Sequence, residues 1–404
     1  LVSNGDVEGI FYPSIGLSGI ISEMVKLPDF ISYLKLRASY TEVGSPISQV
    51  GITPGTITHV INSGAIDPIG SFPYPDFKPE RTKSYELGLN ARFWDGRITF
   101  DGTIYQSNTY NQTFFSQLAS STGYSGFYVQ AGKVRNRGVE MTWGYNDKYG
   151  KVNYSTHLTF TANKNKIQEM VHNQINPIDG TSISITELSL QEAGGVYLRE
   201  GYSMSDIFTT GVLQRGRDGK LVEQANGYQV DRSQRIRLGS SDPDFTMGWR
   251  HDISYKNFSL GVMVTGRFGG VVTSQTQAFM DAFGVSEVSA KARDNGGVML
   301  DGYMYDPERF YNTVGGQGLM AYYTYDATNI RLQELSLTYS LPKKWLGNVF
   351  SNATVSFVGR NLFMFYCKAP FDPDMNGSTG TYNRSDFFMP PSLRNLGFSV
   401  KFSL

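Results

Sequence analysis

Phe258-Ser259-Leu260-Gly261-Val262-Met263-Val264-Thr265-Gly266-Arg267-Phe268 puts an apolar or small residue at every even position and Ser, Gly, Met, Thr or Arg at the odd ones. Strict period-two alternation argues a half-buried β-strand. Just before it, Lys256-Asn257 leaves room only for a tight turn back to a strand over Asp244–Tyr255. Just after it lies a long loop, Gly269–Ala327. This order repeats along the chain. Trp94-Asp95-Gly96-Arg97, Asn146 to Gly150 and Leu341 to Asn348 are tight, whereas Val43–Arg81, Ser116–Lys133, Lys164–Pro243 and Tyr366–Leu393 are long. Short turns on one rim and long loops on the other mark a transmembrane antiparallel β-barrel, with the turns in the periplasm and the loops outside the cell. A soluble sandwich has no reason to sort its connections.

Other segments share the period. Leu396, Phe398, Val400, Phe402 and Leu404 alternate with Gly397, Ser399, Lys401 and Ser403, and Tyr85, Leu87, Leu89, Ala91 and Phe93 with Glu86, Gly88, Asn90 and Arg92. The charged residues of the polar faces suit a water-lined lumen. Strands are predicted over Phe11–Ile21, Ile31–Glu42, Thr82–Phe93, Arg97–Phe115, Val134–Asn146, Lys151–Asn163, Asp244–Tyr255, Phe258–Phe268, Thr328–Leu341, Asn352–Phe365 and Arg394–Leu404. Their length matches a tilted crossing of the bilayer better than a globular strand. The count is about eleven, whereas bacterial single-chain barrels close with an even number. Leu1 is not an initiator Met, and no export signal precedes the strands. The expectation is therefore the C-terminal half of a larger barrel, with Arg394–Leu404 pairing to the first strand of the other half.

Composition agrees. No run of eighteen apolar residues exists, which excludes a transmembrane helix. The 25 Tyr and 26 Phe can supply aromatic girdles at both interfaces. Lys plus Arg and Asp plus Glu both number 36, which gives no support for nucleic-acid binding. Cys367 is the single cysteine, read as a small residue where a strand enters a loop. His59, His157, His172 and His251 are scattered without metal-ligand spacing. No nucleophile elbow, zinc spacing or phosphate loop occurs, so an enzyme is not expected.

Several motifs, in order, carry a family resemblance. Phe77-Lys78-Pro79-Glu80-Arg81-Thr82-Lys83-Ser84-Tyr85-Glu86-Leu87-Gly88 comes first, then Asn136-Arg137-Gly138-Val139-Glu140. Leu238-Gly239-Ser240-Ser241-Asp242-Pro243-Asp244-Phe245 with Ile253-Ser254-Tyr255-Lys256-Asn257-Phe258 follows. Asn329-Ile330-Arg331-Leu332-Gln333-Glu334-Leu335-Ser336-Leu337-Thr338-Tyr339-Ser340-Leu341-Pro342 and Gly359-Arg360-Asn361-Leu362-Phe363 complete the set. Together they resemble the SusC-like TonB-dependent outer-membrane transporters of Bacteroidota. The resemblance implies a 22-stranded plugged barrel, of which residues 1–404 are the C-terminal half. It places the signal peptide, plug domain and first barrel strands upstream. It also implies TonB acting through that upstream part, a SusD-like surface lipoprotein as lid, a dimer of the importer–lipoprotein pair, and oligosaccharide or oligopeptide as cargo. Gln224 to Arg235, with Asp231 as its only acid, departs from the acidic Gly-rich turn of many members, so no cation is expected there. In Arg331-Leu332-Gln333-Glu334-Leu335 the apolar phase slips by one, which predicts a β-bulge.

Ligand contacts are expected in the long loops. Tyr303, Tyr305, Tyr311, Tyr323, Phe371 and Tyr382 are the candidates, because aromatic faces stack on sugar rings. Large loops also need cores, and aromatics supply them, so both explanations stand. Asp372, Asp374 and Asn376 fit the start of a calcium loop, but Asn383 replaces the bidentate Glu. Calcium is a minor hypothesis and no other cofactor is expected. Lys164–Pro243 and Gly269–Ala327 are the candidate platform for the lipoprotein. The expected function is import of a neutral or weakly charged oligosaccharide across the outer membrane. An oligopeptide importer is the rival, and a passive porin or adhesion barrel the alternative class.

Overall fold

The computed structural model describes residues 2–3, 6–7, 11–45, 69–72, 79–117, 124–175, 182–189, 197–347, 350–374 and 385–403. Eleven strands follow one another as an antiparallel meander: β1 (Ser14–Ile20), β2 (Ile31–Ser45), β3 (Glu80–Phe93), β4 (Ile98–Gln117), β5 (Tyr124–Tyr149), β6 (Val152–Glu169), β7 (Phe245–Tyr255), β8 (Phe258–Phe268), β9 (Asn329–Ser340), β10 (Asn352–Cys367) and β11 (Asn395–Ser403). Each pairs with its neighbours in sequence, and Ile69–Phe72 adds a short parallel strand against the start of β5. All eleven predicted strands are present. The sheet is a partial barrel that fits the C-terminal half of the expected fold.

Alternation sorts the two faces. Leu36, Leu87, Ile104, Trp143, Leu260, Leu337, Phe357 and Phe398 stay exposed on one face, which is the lipid face. Aromatics border it at the tight-turn rim, where Phe30, Phe93 and Trp94 pack with centroids 5.9–6.3 Å apart. At the loop end Tyr40 packs on Tyr85 at 5.1 Å. Such belts match the interfacial preference of Tyr and Trp.

The short connections work as predicted, with one shift. Trp94, Asp95 and Lys256 adopt positive φ (49°, 56° and 53°), the backbone that a tight hairpin demands. Gly150 (φ 61°) turns β5 into β6 with Lys151, so β5 runs three residues past the predicted Asn146. The predicted bulge lies at Gln333: Met263 pairs with Glu334, Val264 with Leu332, and Gln333 is left over. The main difference concerns Ser116–Lys133. The β4–β5 ladder continues from Gln112↔Ala131 to Gln117↔Gly126, so most of this predicted loop is hairpin. Phe127-Tyr128-Val129 has the residue types that favour a ladder even above the bilayer.

The outer edges of β1 and β11 pair with no described strand. Hydrocarbon offers no partner for their amides, so the eleven-stranded sheet cannot persist in lipid unless other strands close it. A refolded 404-residue polypeptide should therefore show no heat-modifiable monomer band on a cold gel. Appearance of a discrete folded monomer would refute this.

Candidate functional site

On the lumen face two clusters of charge are matched internally. Arg37 on β2 donates to both carboxylate oxygens of Asp101 on β4 (3.0 and 2.6 Å) and to Thr103 Oγ1 (2.8 Å). Asn90 donates to the same carboxylate at 2.7 Å. Arg37 crosses Gly88 on the way, where a Cβ would collide with its guanidinium. Further round, Arg250 holds Asp252 through two bonds (2.8 and 2.9 Å) and reaches Glu334 at 3.5 Å, while Arg360 donates to Glu334 at 3.0 Å. Five strands (β2, β4, β7, β9 and β10) thus carry a wetted wall with no charge left over in these two clusters.

Above the lumen the long loops fold into a module with its own core. Ser274 caps α1 (Gln275–Ala282) by accepting from Gln277 N, Ser286 caps α2 (Glu287–Asp294), and Asp306 with Pro307 starts α3 (Pro307–Val314). These are ordinary N-cap choices. Leu213, Leu221 and Tyr228, from the loop before β7, pack with Ala278, Tyr305, Phe310, Tyr311, Val314, Leu319 and Tyr323, from the loop after β8. Two loops separated by the β7–β8 hairpin therefore share one core.

This packing decides what most of the candidate aromatics do. Tyr305, Tyr311 and Tyr323 are buried in the module, and the Tyr305 hydroxyl accepts from Leu221 N at 3.1 Å. Burial pushes the Tyr311 and Tyr323 hydroxyls up, with Asp281 adding to the effect. Tyr325 is pushed up to about 12 for the same two reasons. Tyr303 lies at the margin, donating to Asp218 O at 3.0 Å with Lys220 over its ring. Phe371 meets Tyr325 edge to face at 5.6 Å, beside Cys367. Tyr382 and Asn376 lie outside the described residues.

Asp372 and Asp374 already face a cation of the chain itself. Arg331 on β9 donates to Asp372 at 2.8 Å and lies 2.7 Å from Asp374, while Arg267 approaches Asp374 at 3.6 Å. Burial alone would raise the Asp372 carboxyl, but Arg331, the Ser392 hydroxyl and the Asp374 amide outweigh it and hold it below the usual range. Among the described residues no group of three acidic, His or Cys side chains could hold a metal ion.

A second aromatic group joins Phe387 and Phe388, which the sequence places among the loop aromatics, to Phe279, which it does not single out. Phe279 on α1 lies 6.0 Å from both Phe387 and Phe388, which are 5.2 Å apart, and all three are exposed. Ser274 joins the parts: besides capping α1 it donates to Asp386 at 2.7 Å. Phe388 adopts φ 50°, an unusual backbone for an aromatic residue, with its amide bonded to Thr276 Oγ1 at 2.6 Å. Phe283, Val285 and Val288 extend the apolar surface nearby in sequence. The Ser274-x-x-Gln277 spacing was the available signal for this helix inside a supposed loop.

The TonB dependent receptor-like β-barrel family matches residues 3–265. The chain belongs to that family. TonB-dependent receptor P3 of Formosa agariphila is 24% identical over 97% of this chain and 42% of its own length, and receptor P26 of the same organism gives the same figures. The chain thus spans about two fifths of the curated relatives it matches. Among solved structures, that of the RagAB peptide transporter superposes with a TM-score of 0.71 at 16% identity, covering 97% of this chain and 43% of that one. The SusC-like resemblance is borne out by family and fold, and the chain is an outer-membrane β-barrel segment.

Three outcomes test this geometry. Replacing Arg331 by Met strands the buried Asp372 carboxylate and should destabilise the loop contact by about 3 kcal/mol, as for a broken buried pair, seen as faster proteolysis after Cys367. Asp372 has a depressed folded pKa, so its contribution is complete above the ordinary carboxylate value near 4 and is lost as pH falls through the folded value. Nicking of this loop should therefore accelerate only below about pH 4. Tyr323→Ala should cost the module about 3–5 kcal/mol, whereas Phe387→Ala should leave its protease resistance unchanged.

Proposed function

We propose that the chain forms the C-terminal half of the barrel of a TonB-dependent importer that carries neutral or weakly charged oligosaccharides across the outer membrane. The plug, the TonB-contacting segment and the first barrel strands belong to the remainder of the polypeptide in this reading. A SusD-like lipoprotein covers the loop rim, in a dimer of importer–lipoprotein pairs. The observation that carries the substrate class is the matched charge of the lumen wall, in Arg37–Asp101 and Arg250–Asp252–Glu334–Arg360. Such a wall offers hydrogen-bonding groups without a strong field of either sign. The exposed Phe279, Phe387 and Phe388 add ring faces for sugar stacking.

An oligopeptide is the second reading. The same exposed phenylalanines would seat apolar side chains, and the RagAB structure similar to this fold is described as a peptide importer. A strain lacking the intact gene, grown on single glycans and on a peptide-only medium, separates the two. Slow growth on one or more glycans is expected, and a defect confined to peptides overturns the sugar reading.

The shared loop core determines how the lid is tested. Deleting either loop would unfold both, so surface substitutions are required. Phe283, Val285 and Val288 are 77%, 70% and 55% exposed, an apolar face suited to a partner. Phe283→Ser with Val285→Ser and Val288→Ser should release the lipoprotein on purification while the module keeps its protease resistance. Retention of the pair would place the lid contact elsewhere.

A further inference from the structure

The chain entering β7 leans towards β8 and away from β6. Arg267 donates to Ser241 O, and Gly270 lies so near Asp242 that a Cβ would touch its carbonyl. The β6–β7 ladder stops at Thr161↔Thr246, although β6 runs on to Glu169. The outward rings of Phe160, Phe245 and Phe268 stack at this height (5.5 and 4.6 Å), which marks the top of the apolar band. Above it, residues 162–166 have no ladder partner on the β7 side among the described residues. The gap is framed at its upper end, where Ile167 exchanges backbone bonds of 2.8 Å with Gly201 and Tyr202. About 16 Å of strand edge is left unpaired.

A cavity of about 1040 Å³ fills this gap. Successive strand residues point to opposite faces, yet all five of residues 162–166 line it. It therefore lies against the edge of β6, between the two faces. The loop before β7 roofs it on the lumen side, where Asn165 accepts from Ser203 Oγ at 3.3 Å and Met204 N at 2.8 Å. A slot beside a free β edge fits an extended polypeptide, whose own amides complete the ladder. The two faces then fix what that polypeptide carries. Inward it meets Asn163 and Asn165. Outward it meets Lys164 and Lys166, which lie opposite Arg137 and Arg135. None of these four cations has an ion-pair partner among the described residues, and Arg137 only donates to Gln106 Oε1 at 2.6 Å. Like charges directly opposed across a ladder are destabilising, and acids on an added strand relieve them. The carboxylates around the slot are taken: Asp206 by Arg237 at 2.8 Å and Asp242 by Ser205 Oγ, while Asp244 lies against Gly269.

We propose that the edge of β6 takes up an extended peptide segment of the surface lipoprotein, with Asp or Glu at every second residue facing Lys164 and Lys166. This contact rests on the lid reading proposed above. Height selects the occupant: Lys164 and Lys166 stand on the outward side just above the stacked phenylalanines, at the membrane surface, where a lipid-anchored chain begins. Cargo moves along the barrel axis, on the other side of the wall. The contact is separate from the apolar face of Phe283, Val285 and Val288 on the loop module.

The test keeps the intact protein in its outer membrane together with its lipoprotein. Benzoylphenylalanine is placed at Lys166 and, as a control, at Leu260 on the lipid face, and the products of irradiation are mapped by mass spectrometry. The Lys166 position should cross-link to a lipoprotein segment with acids at alternate residues, and the Leu260 position should not. Lys164→Glu with Lys166→Glu should cut the lipoprotein retained on purification severalfold, whereas Lys164→Arg with Lys166→Arg should retain it, each barrel being checked by heat-modifiable migration. If the Glu variant does not fold, the cross-link decides. Cross-linking of Lys166 only to lipid, to cargo or to a segment without acids, equal cross-linking from Leu260, or wild-type retention by the folded Glu variant would each overturn the proposal and leave the lid reading standing. Purification of the unaltered protein with no lipoprotein at all would overturn the lid reading, and this contact with it.

Discussion

Hydrocarbon cannot hydrogen-bond a peptide group, and the rest of this structure follows from that limit. Every strand in the bilayer must satisfy its amides on its neighbours, which leaves a sequential meander as the economical solution. Once the ladder is fixed, alternation alone assigns each side chain to lipid or to lumen. The lipid face can then be uniformly apolar. The lumen face must accept charge, and it does so by pairing arginines with carboxylates across strands, as in Arg37–Asp101 and Arg250–Asp252.

Beyond the membrane the constraint changes. Water can solvate the backbone, so loops need a reason to order, and here that reason is a small hydrophobic core shared by two of them. Polar links then fasten the parts to the barrel. Ser274 ties helix to loop through Asp386, and Arg331 reaches from β9 to gather Asp372. The turn that resembles a calcium loop thus meets a guanidinium, which supplies positive charge from within the chain.

The strands were legible because their information is local. Phe258–Phe268 or Leu396–Leu404 declares its two faces without reference to any other segment, and even the Gln333 bulge shows as a slip in phase. The loop module was not legible, because its contacts join residues as distant as Leu221 and Tyr305. Tyr305 and Tyr323 look alike as ligand stackers or as core, since a Tyr ring serves both and only burial separates them.

The shared core also constrains how the protein reaches its final state. Its two contributing loops flank the β7–β8 hairpin, whose tight turn at Lys256-Asn257 lies on the opposite rim. The core residues cannot meet until both segments have emerged on the outer side, one ahead of β7 and one behind β8. They must therefore traverse the bilayer as extended, uncompacted chain. Compaction before crossing would present a folded body to a membrane that passes only strands. Insertion of the hairpin thus precedes, and gates, the assembly of the surface that meets the outside world.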